Sequence, residues 1–362
     1  MSKSYTINPD ITIAETLPSS FYRSQEVFEA LLDKVFAKTW QFIGDKSMVG
    51  LTQQVKPISF LEFGLEEPLL LTNEGNQLSC ISNVCTHRGN ILCHDPCKTR
   101  QITCAYHGRR FNLKGEFQHM PEFKEAKGFP RKEDDLHRFP LKQWGPWLFT
   151  ALDDSLDFQS VLDLMQRKVG FLPLDDFKED KSRNKDYLVN AHWALYCDNY
   201  LEGFHIPFVH DGLNAVLDYK KYETQLYPFC NLQVGHVSGG EHVFDLPKDH
   251  EDYGHQISAY YFWIFPNIMF NFYPWGCSIN VVKPISINRT KISFITYVLD
   301  ESKLDTGAGA ALDKVEREDE FVVEGVFKGM SSRVYKTGRF SPKMEKGVHQ
   351  FQGLLAEFLG KE

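Results

Sequence analysis

The sequence predicts an α+β protein in which a small antiparallel β domain precedes a larger domain of helices and one sheet. Three observations carry this reading. At 362 residues the chain exceeds what a single hydrophobic core usually serves. From about residue 41 to 155, short β-rich segments alternate with turn signals such as Glu74-Gly75-Asn76, Lys114-Gly115 and Asp153-Asp154. Beyond them, one late group of strand candidates lies between long helical segments. Hydrophobic residues at 42% and charged residues at 24% match an ordinary globular chain, which excludes disorder, collagen and coiled coil.

Taken in order, residues 1–40 form an N-terminal arm ending in a helix. Over 24–40, Phe28, Leu31, Leu32, Val35, Phe36 and Trp40 recur at helical spacing, and Ser24 ahead of Glu26 and Glu29 marks its start. The β domain spans 41–155 and the second domain 156–362. A short helix is expected at 161–169, and the charged stretch 176–185 reads as a loop or boundary. A helix over roughly 191–205 follows, then strands at 258–271, 276–284 and 291–299. Helices at 311–330 and 344–359 close the chain.

Charge and composition exclude several classes. A net charge of −8 argues against nucleic acid as the main partner. The most apolar stretch, Tyr260 to Trp275, is interrupted by Pro266, Asn267, Asn271 and Pro274, so no membrane span is expected. The first residues lack the pattern of a signal peptide, and a cytoplasmic location is expected. Eight cysteines in so long a chain read as buried residues or metal ligands in a reducing compartment. Gly307-Ala-Gly309-Ala lacks the third glycine and the βαβ setting of a dinucleotide site. With no flavin or nicotinamide site in the chain, NAD(P)H would serve only indirectly, through a separate reductase or ferredoxin.

Two constellations carry chemistry. In the β domain, Cys85-Thr-His87-Arg-Gly89 is followed by Cys104-Ala-Tyr-His107-Gly108. Each loop offers one thiolate and one imidazole. Structural zinc sites usually pair like with like, whereas this mixture suits a [2Fe–2S] cluster with two Cys on one iron and two His on the other. Gly89 and Gly108 permit tight turns behind each pair. Cys93, His94, Cys97 and His119 read as ordinary loop residues.

The second constellation is Asn199-Tyr200-Leu-Glu202-Gly-Phe204-His205-Ile-Pro207-Phe-Val-His210. Five residues apart on an ideal helix, two His diverge by roughly 140°. They converge only if the helix breaks, and Pro207 is placed to break it. Taken alone, a His pair in an aromatic segment is more often packing or surface, although two His with a carboxylate can hold Fe(II) and leave positions for O₂ and substrate.

These residues resemble the Rieske motif and the mononuclear iron motif of Rieske non-haem iron oxygenases. The absence of a cysteine beside the cluster ligands resembles the oxygenase and ferredoxin branch, although Arg109 stands where a Trp is frequent. The resemblance implies a Rieske [2Fe–2S] domain on Cys85, His87, Cys104 and His107, joined to a catalytic domain of helix-grip (Bet v 1/START-like) fold. It implies a third iron ligand within Glu318-Asp319-x₄-Glu324. Asp319 is the expected ligand, with Glu318, Asp313 and Glu324 as competitors. Phe327 replaces a frequent Gln. It further implies a homotrimer in which Glu202 links His205 to His107 of the partner subunit. Asn199 and Glu202 are the expected catalytic auxiliaries.

Phe265-Pro-Asn267-Ile-Met269, Tyr273-Pro-Trp275 and Ser332-Arg333-Val-Tyr335-Lys-Thr-Gly338-Arg339 resemble the branch of carnitine, choline and glycine-betaine oxygenases. That implies monooxygenation of an N-methylated ammonium compound, held by cation–π contacts. Tyr200, Phe204, Trp263, Phe265, Tyr273 and Trp275 are the candidate faces. An aromatic acid would suit the same walls and is the alternative substrate class. A Rieske electron carrier and a non-enzymatic helix-grip binding protein are the other classes. The some 200 residues beyond the β domain argue against the first, and the Cys/His loops against the second.

Overall fold

Ser24 starts the first helix, α1 (Gln25–Lys34), where its hydroxyl accepts the Val27 N–H at 3.3 Å. The helix ends sooner than expected, and a single 3₁₀ turn, Phe36–Lys38, replaces its last turn. The computed structural model describes residues 5–210, 222–237, 242–304 and 312–361. The Gly307–Gly309 stretch and residue 311, the expected start of a helix, lie outside them. The chain divides into two compact units, Ala37–Leu156, and Met1–Phe36 together with Asp157–Glu362.

The unit Ala37–Leu156 is built from antiparallel sheets and two short 3₁₀ turns, Lys46–Val49 and Lys132–Asp134. The largest runs in the order Cys97–Lys98, Gln54–Phe60, Glu67–Glu74, Gln77–Ser82, Arg138–Phe139. A second joins Gln41–Asp45, Trp147–Thr150 and Leu141–Trp144, and a third joins Ile102–Thr103, Arg110–Phe111 and Phe117–His119. Val55, Leu70, Ile81, Phe111, Leu113 and Leu136 form a core that also contains Cys85 and Cys104. The two thiols are therefore anchored from below by apolar packing.

Among its described residues the other unit holds one antiparallel sheet. Its order is Lys178–Glu179, Arg289–Val298, Gly276–Ser286, Ile268–Tyr273, Ile257–Ile264, Cys230–His236, Glu223–Tyr227, with Lys185–Val189 also paired to Arg289–Val298. The helices are α2 (Gln159–Val169), α3 (Trp193–Tyr200), α4 (Ile206–Val209), α5 (Leu312–Gly329) and α6 (Lys346–Gly360). This is the α+β, helix-against-sheet architecture that the sequence predicts. The expected strand 258–271 is a hairpin instead. Pro266 has no N–H to give a ladder, and Asn267 donates to the Val282 carbonyl at 2.8 Å, so the chain reverses there. The expected loop at 176–185 carries the two-residue strand Lys178–Glu179.

Register decides what the sheet shows to the helices. Directly paired residues share a face. Gln233 pairs with Tyr261, Tyr261 with Asn271, and Asn280 with both Met269 and Phe294. One face therefore presents Gln233, Tyr261, Asn271, Asn280 and Phe294. Trp263 lies on this face too, but α6 covers it: Phe351 packs edge-on at 5.2 Å from Trp263, and Phe358 lies 5.0 Å from Phe265. Asp198 on α3 ties the terminal segments together. It accepts from Tyr22 Oη at 2.9 Å and from Gln352 Nε2 at 3.1 Å, and burial pushes its carboxyl up to about 7. Among the described residues no helix is long and apolar enough to cross a membrane.

Candidate functional site

The two Cys/His loops are built alike. Cys85 N–H donates to Asn90 O at 2.8 Å and Gly89 N–H returns to Cys85 O at 3.0 Å. Cys104 N–H donates to Arg109 O at 2.8 Å and Gly108 N–H returns to Cys104 O at 3.0 Å. Gly89 and Gly108 have φ of 69° and 71°, the left-handed conformation that closes such a turn and favours glycine. The His87 and His107 rings lie 4.7 Å apart between centroids.

Burial raises the Cys85 thiol. At Cys104 burial acts the same way, but the amides of Tyr106 and His107, with Cys85 and Asn90, outweigh it and lower the thiol. Burial, then His107 and two arginines, lower His87. His107 Nδ1 is buried without a hydrogen-bond partner, as a nitrogen reserved for a metal would be. Two thiols and two imidazoles on twinned loops fit a [2Fe–2S] cluster.

Arg109, which departs from the expected Trp, is 2% exposed. It bonds Asp134 at 2.7 Å and lies over the rings of Phe111, Phe117 and Phe129. The guanidinium is thus buried among rings, with Asp134 as its counter-charge.

In the other unit, His205, His210 and Asp319 converge, with ligand atoms within 4.8 Å of one another. The helix break differs from expectation. α3 ends at Tyr200, and Pro207 sits in the first turn of α4, where a missing N–H costs no helix bond. His205 and His210 are the two caps of α4, so the short helix brings their rings to 5.1 Å. Each Nε2 faces the same Asp319 oxygen, at 3.5 Å from His205 and 3.0 Å from His210. Each Nδ1 has a carboxylate partner at 2.7 Å, Glu202 Oε1 for His205 and Glu318 Oε2 for His210.

Glu202 Oε2 also accepts the N–H groups of Phe204 and His205. Asn199 Nδ2 donates to Asp319 at 2.7 Å. Burial pulls His210 down, but Asp319 and Glu318 outweigh it and raise the ring. That negative field suits a divalent cation, and two nitrogens and one carboxylate leave room for further ligands. Of the competing carboxylates, Glu318 holds His210, Asp313 pairs with Lys185 and Tyr187, and Glu324 bonds Asn190.

A cavity of about 120 Å³ adjoins these ligands. Tyr200 and Tyr273 line it, as the sequence suggests, together with Asn199, Glu202 and the three converging residues. Four candidate faces lie elsewhere. Trp263 and Phe265 are packed against α6. Trp275 stacks behind Tyr273 at 5.2 Å, in a cluster with Ala259. Phe204 is 41% exposed and meets Phe208 edge-on. An aromatic run marks a strand but not which of its residues faces a ligand. Tyr196, Tyr222, Tyr261 and Glu316 were not anticipated, and all line the cavity. Helical spacing signals two of them: Tyr196 stands four residues before Tyr200, and Glu316 three before Asp319.

A family model described as "Ring hydroxylating alpha subunit (catalytic domain)" matches residues 174–361, and one described as "Rieske [2Fe-2S] domain" matches 40–130. The chain is 29% identical to a chloroplastic choline monooxygenase of Beta vulgaris, covering 98% of this chain and 80% of the relative. It is 26% identical to the carnitine monooxygenase oxygenase subunit of Escherichia coli (strain K12), over 97% and 98% of the two chains. A solved quaternary ammonium Rieske monooxygenase, described for carnitine oxidation and inter-subunit electron transfer, superposes with TM-score 0.77 at 22% identity, over 98% of this chain and 100% of that one.

Proposed function

As the chain belongs to the ring-hydroxylating α-subunit family, we propose that it oxidises a small N-methylated quaternary ammonium compound. It is a Rieske oxygenase with a [2Fe–2S] cluster and a mononuclear iron, and it takes electrons from a separate reductase. In monooxygenation, substrate C–H, O₂, two electrons and two protons become C–OH and water. Hydroxylation of a carbon beside nitrogen also prepares cleavage of the C–N bond. When bound, the metals supply single electrons and the place where O₂ is reduced.

The protein's own residues do the rest. Cys85, His87, Cys104 and His107 hold the cluster, and His205, His210 and Asp319 hold the iron. Glu202 and Glu318 fix the tautomer of each iron-binding His, so that Nε2 turns inward. Asn199 holds Asp319 in place.

The observation that carries the substrate class is the cavity wall beside these ligands. Tyr196, Tyr200, Tyr222, Tyr261 and Tyr273 converge there. A quaternary ammonium offers no N–H to an acceptor, and ring faces attract it by about 0.5–2 kcal/mol each. The names of the two relatives support the same class. The test is a panel of choline, carnitine, betaines and benzoate-type acids with NADH, a reductase and an O₂-uptake readout. Coupled uptake is expected with a quaternary ammonium. Coupled uptake with an aromatic acid alone would replace this reading.

The assembly we propose is a homotrimer in which Glu202 faces the cluster of the partner subunit. The inter-subunit transfer described for the structural neighbour supports it. Glu202→Gln is expected to keep both metals and slow turnover roughly 10–100-fold. An enzyme that is active as a monomer in sedimentation would contradict the trimer. A reducing compartment such as the cytoplasm suits a chain whose cysteines include the two expected cluster thiolates.

A further inference from the structure

Glu316 stands one helical turn before Asp319 on α5, and both border the cavity. It is 3% exposed. Tyr196 Oη donates to its Oε2 at 2.6 Å, while its Oε1 is buried with no hydrogen-bond partner. Burial raises this carboxyl to about 8, against the pull of the Tyr196 bond, so its charged form is favoured only when a cation lies beside it. Among the described residues that line the cavity there is no Lys or Arg. A buried carboxyl with one idle oxygen and no cation destabilises the fold unless something else uses it. Glu316 is not needed to hold the iron, because His205, His210 and Asp319 converge without it.

The charge pattern also bears on what else the ligand carries. Ring faces attract the ammonium end of a simple cation and of a zwitterion alike. A carboxylate on the substrate, however, would enter a cavity where, with Asp319 committed to the iron, Glu316 and Glu202 are the charged side chains among the described lining residues. A carboxylate joined to the ammonium is brought up against Glu316 with no basic side chain among the described lining residues, so Glu316 repels it. A hydroxyl in its place would meet the amides of Asn199, Gln233, Asn271 and Asn280.

We propose that Glu316 is the counter-charge for the substrate's ammonium group, and that the site therefore selects a quaternary ammonium of net positive charge over one that also bears a carboxylate. This rests on the quaternary-ammonium reading of the site. Glu316→Gln keeps the shape and an acceptor for Tyr196 but removes the charge, and Glu316→Asp keeps the charge at a shorter reach.

The experiment measures coupled O₂ uptake by the reconstituted holoenzyme with choline, a cation, and glycine betaine, a zwitterion. A neutral isostere of choline, 3,3-dimethylbutan-1-ol, serves as competitive inhibitor. The wild type is expected to show kcat/KM at least about tenfold higher for choline. Glu316→Gln should raise the choline KM about tenfold or more, with a much smaller change in kcat and an unchanged inhibition constant for the isostere. Glu316→Asp should fall between the two.

A choline KM within twofold of wild type in Glu316→Gln overturns the counter-charge. So does an equal loss of affinity for the isostere, which is the mark of a packing role. If Glu316→Gln does not fold, the wild-type preference and the Glu316→Asp values decide. A preference for betaine, or an Asp variant indistinguishable from wild type, overturns the proposal. A wild type that oxidises no quaternary ammonium overturns the substrate class itself, a result distinct from either.

Discussion

Asp319→Ala is expected to remove one iron per chain and lower turnover by more than about a hundredfold, while the visible spectrum of the [2Fe–2S] cluster persists. Asp319 is the point on which the site converges. One of its oxygens meets His205 Nε2, His210 Nε2 and Asn199 Nδ2 at 3.5, 3.0 and 2.7 Å. Alanine leaves two imidazoles with no anionic third ligand, and a hard divalent cation binds such a pair poorly. The cluster ligands belong to the other compact unit, so their spectrum reports that this unit still folds. Iron per chain and substrate-coupled O₂ uptake are the measurements. Unchanged turnover would mean that a different carboxylate completes the site.

Cys104→Ser should abolish the red-brown colour and all turnover, leaving the mononuclear iron in place. Cys104 is 2% exposed within an apolar core, and the amides of Tyr106 and His107 with Asn90 favour its thiolate. A serine hydroxyl stays protonated there and does not replace a soft thiolate on iron. Both hydrogen bonds that shape the loop use the Cys104 backbone and survive the change. The expected outcome is an intact fold without a cluster, read by visible absorption, iron content and O₂ uptake. A variant that keeps the wild-type visible spectrum would sink the assignment of Cys104.

The sequence alone carried the chemistry of both metal sites, because ligation constrains residue type and short-range spacing. A Cys and a His on each of two glycine-closed loops leave few readings, and His205 and His210 lie within one decapeptide. It carried the α+β class as well, since helical period and turn residues are local signals.

Tertiary structure decided the rest. Asp319 stands more than a hundred residues from His210, and only the meeting of α5 with α4 shows that Glu318 serves the His210 Nδ1 while Asp319 faces Nε2. Pro207 illustrates the limit of a local rule: the same residue that breaks a helix also starts one, and here it starts one. The substrate wall was the least legible part. Trp263 and Tyr261 are both aromatic and sit on the same sheet face. Phe351 of α6 covers the first, and the second stays beside the cavity. Which aromatic residue becomes core and which becomes wall depends on what packs against it from a distant part of the chain.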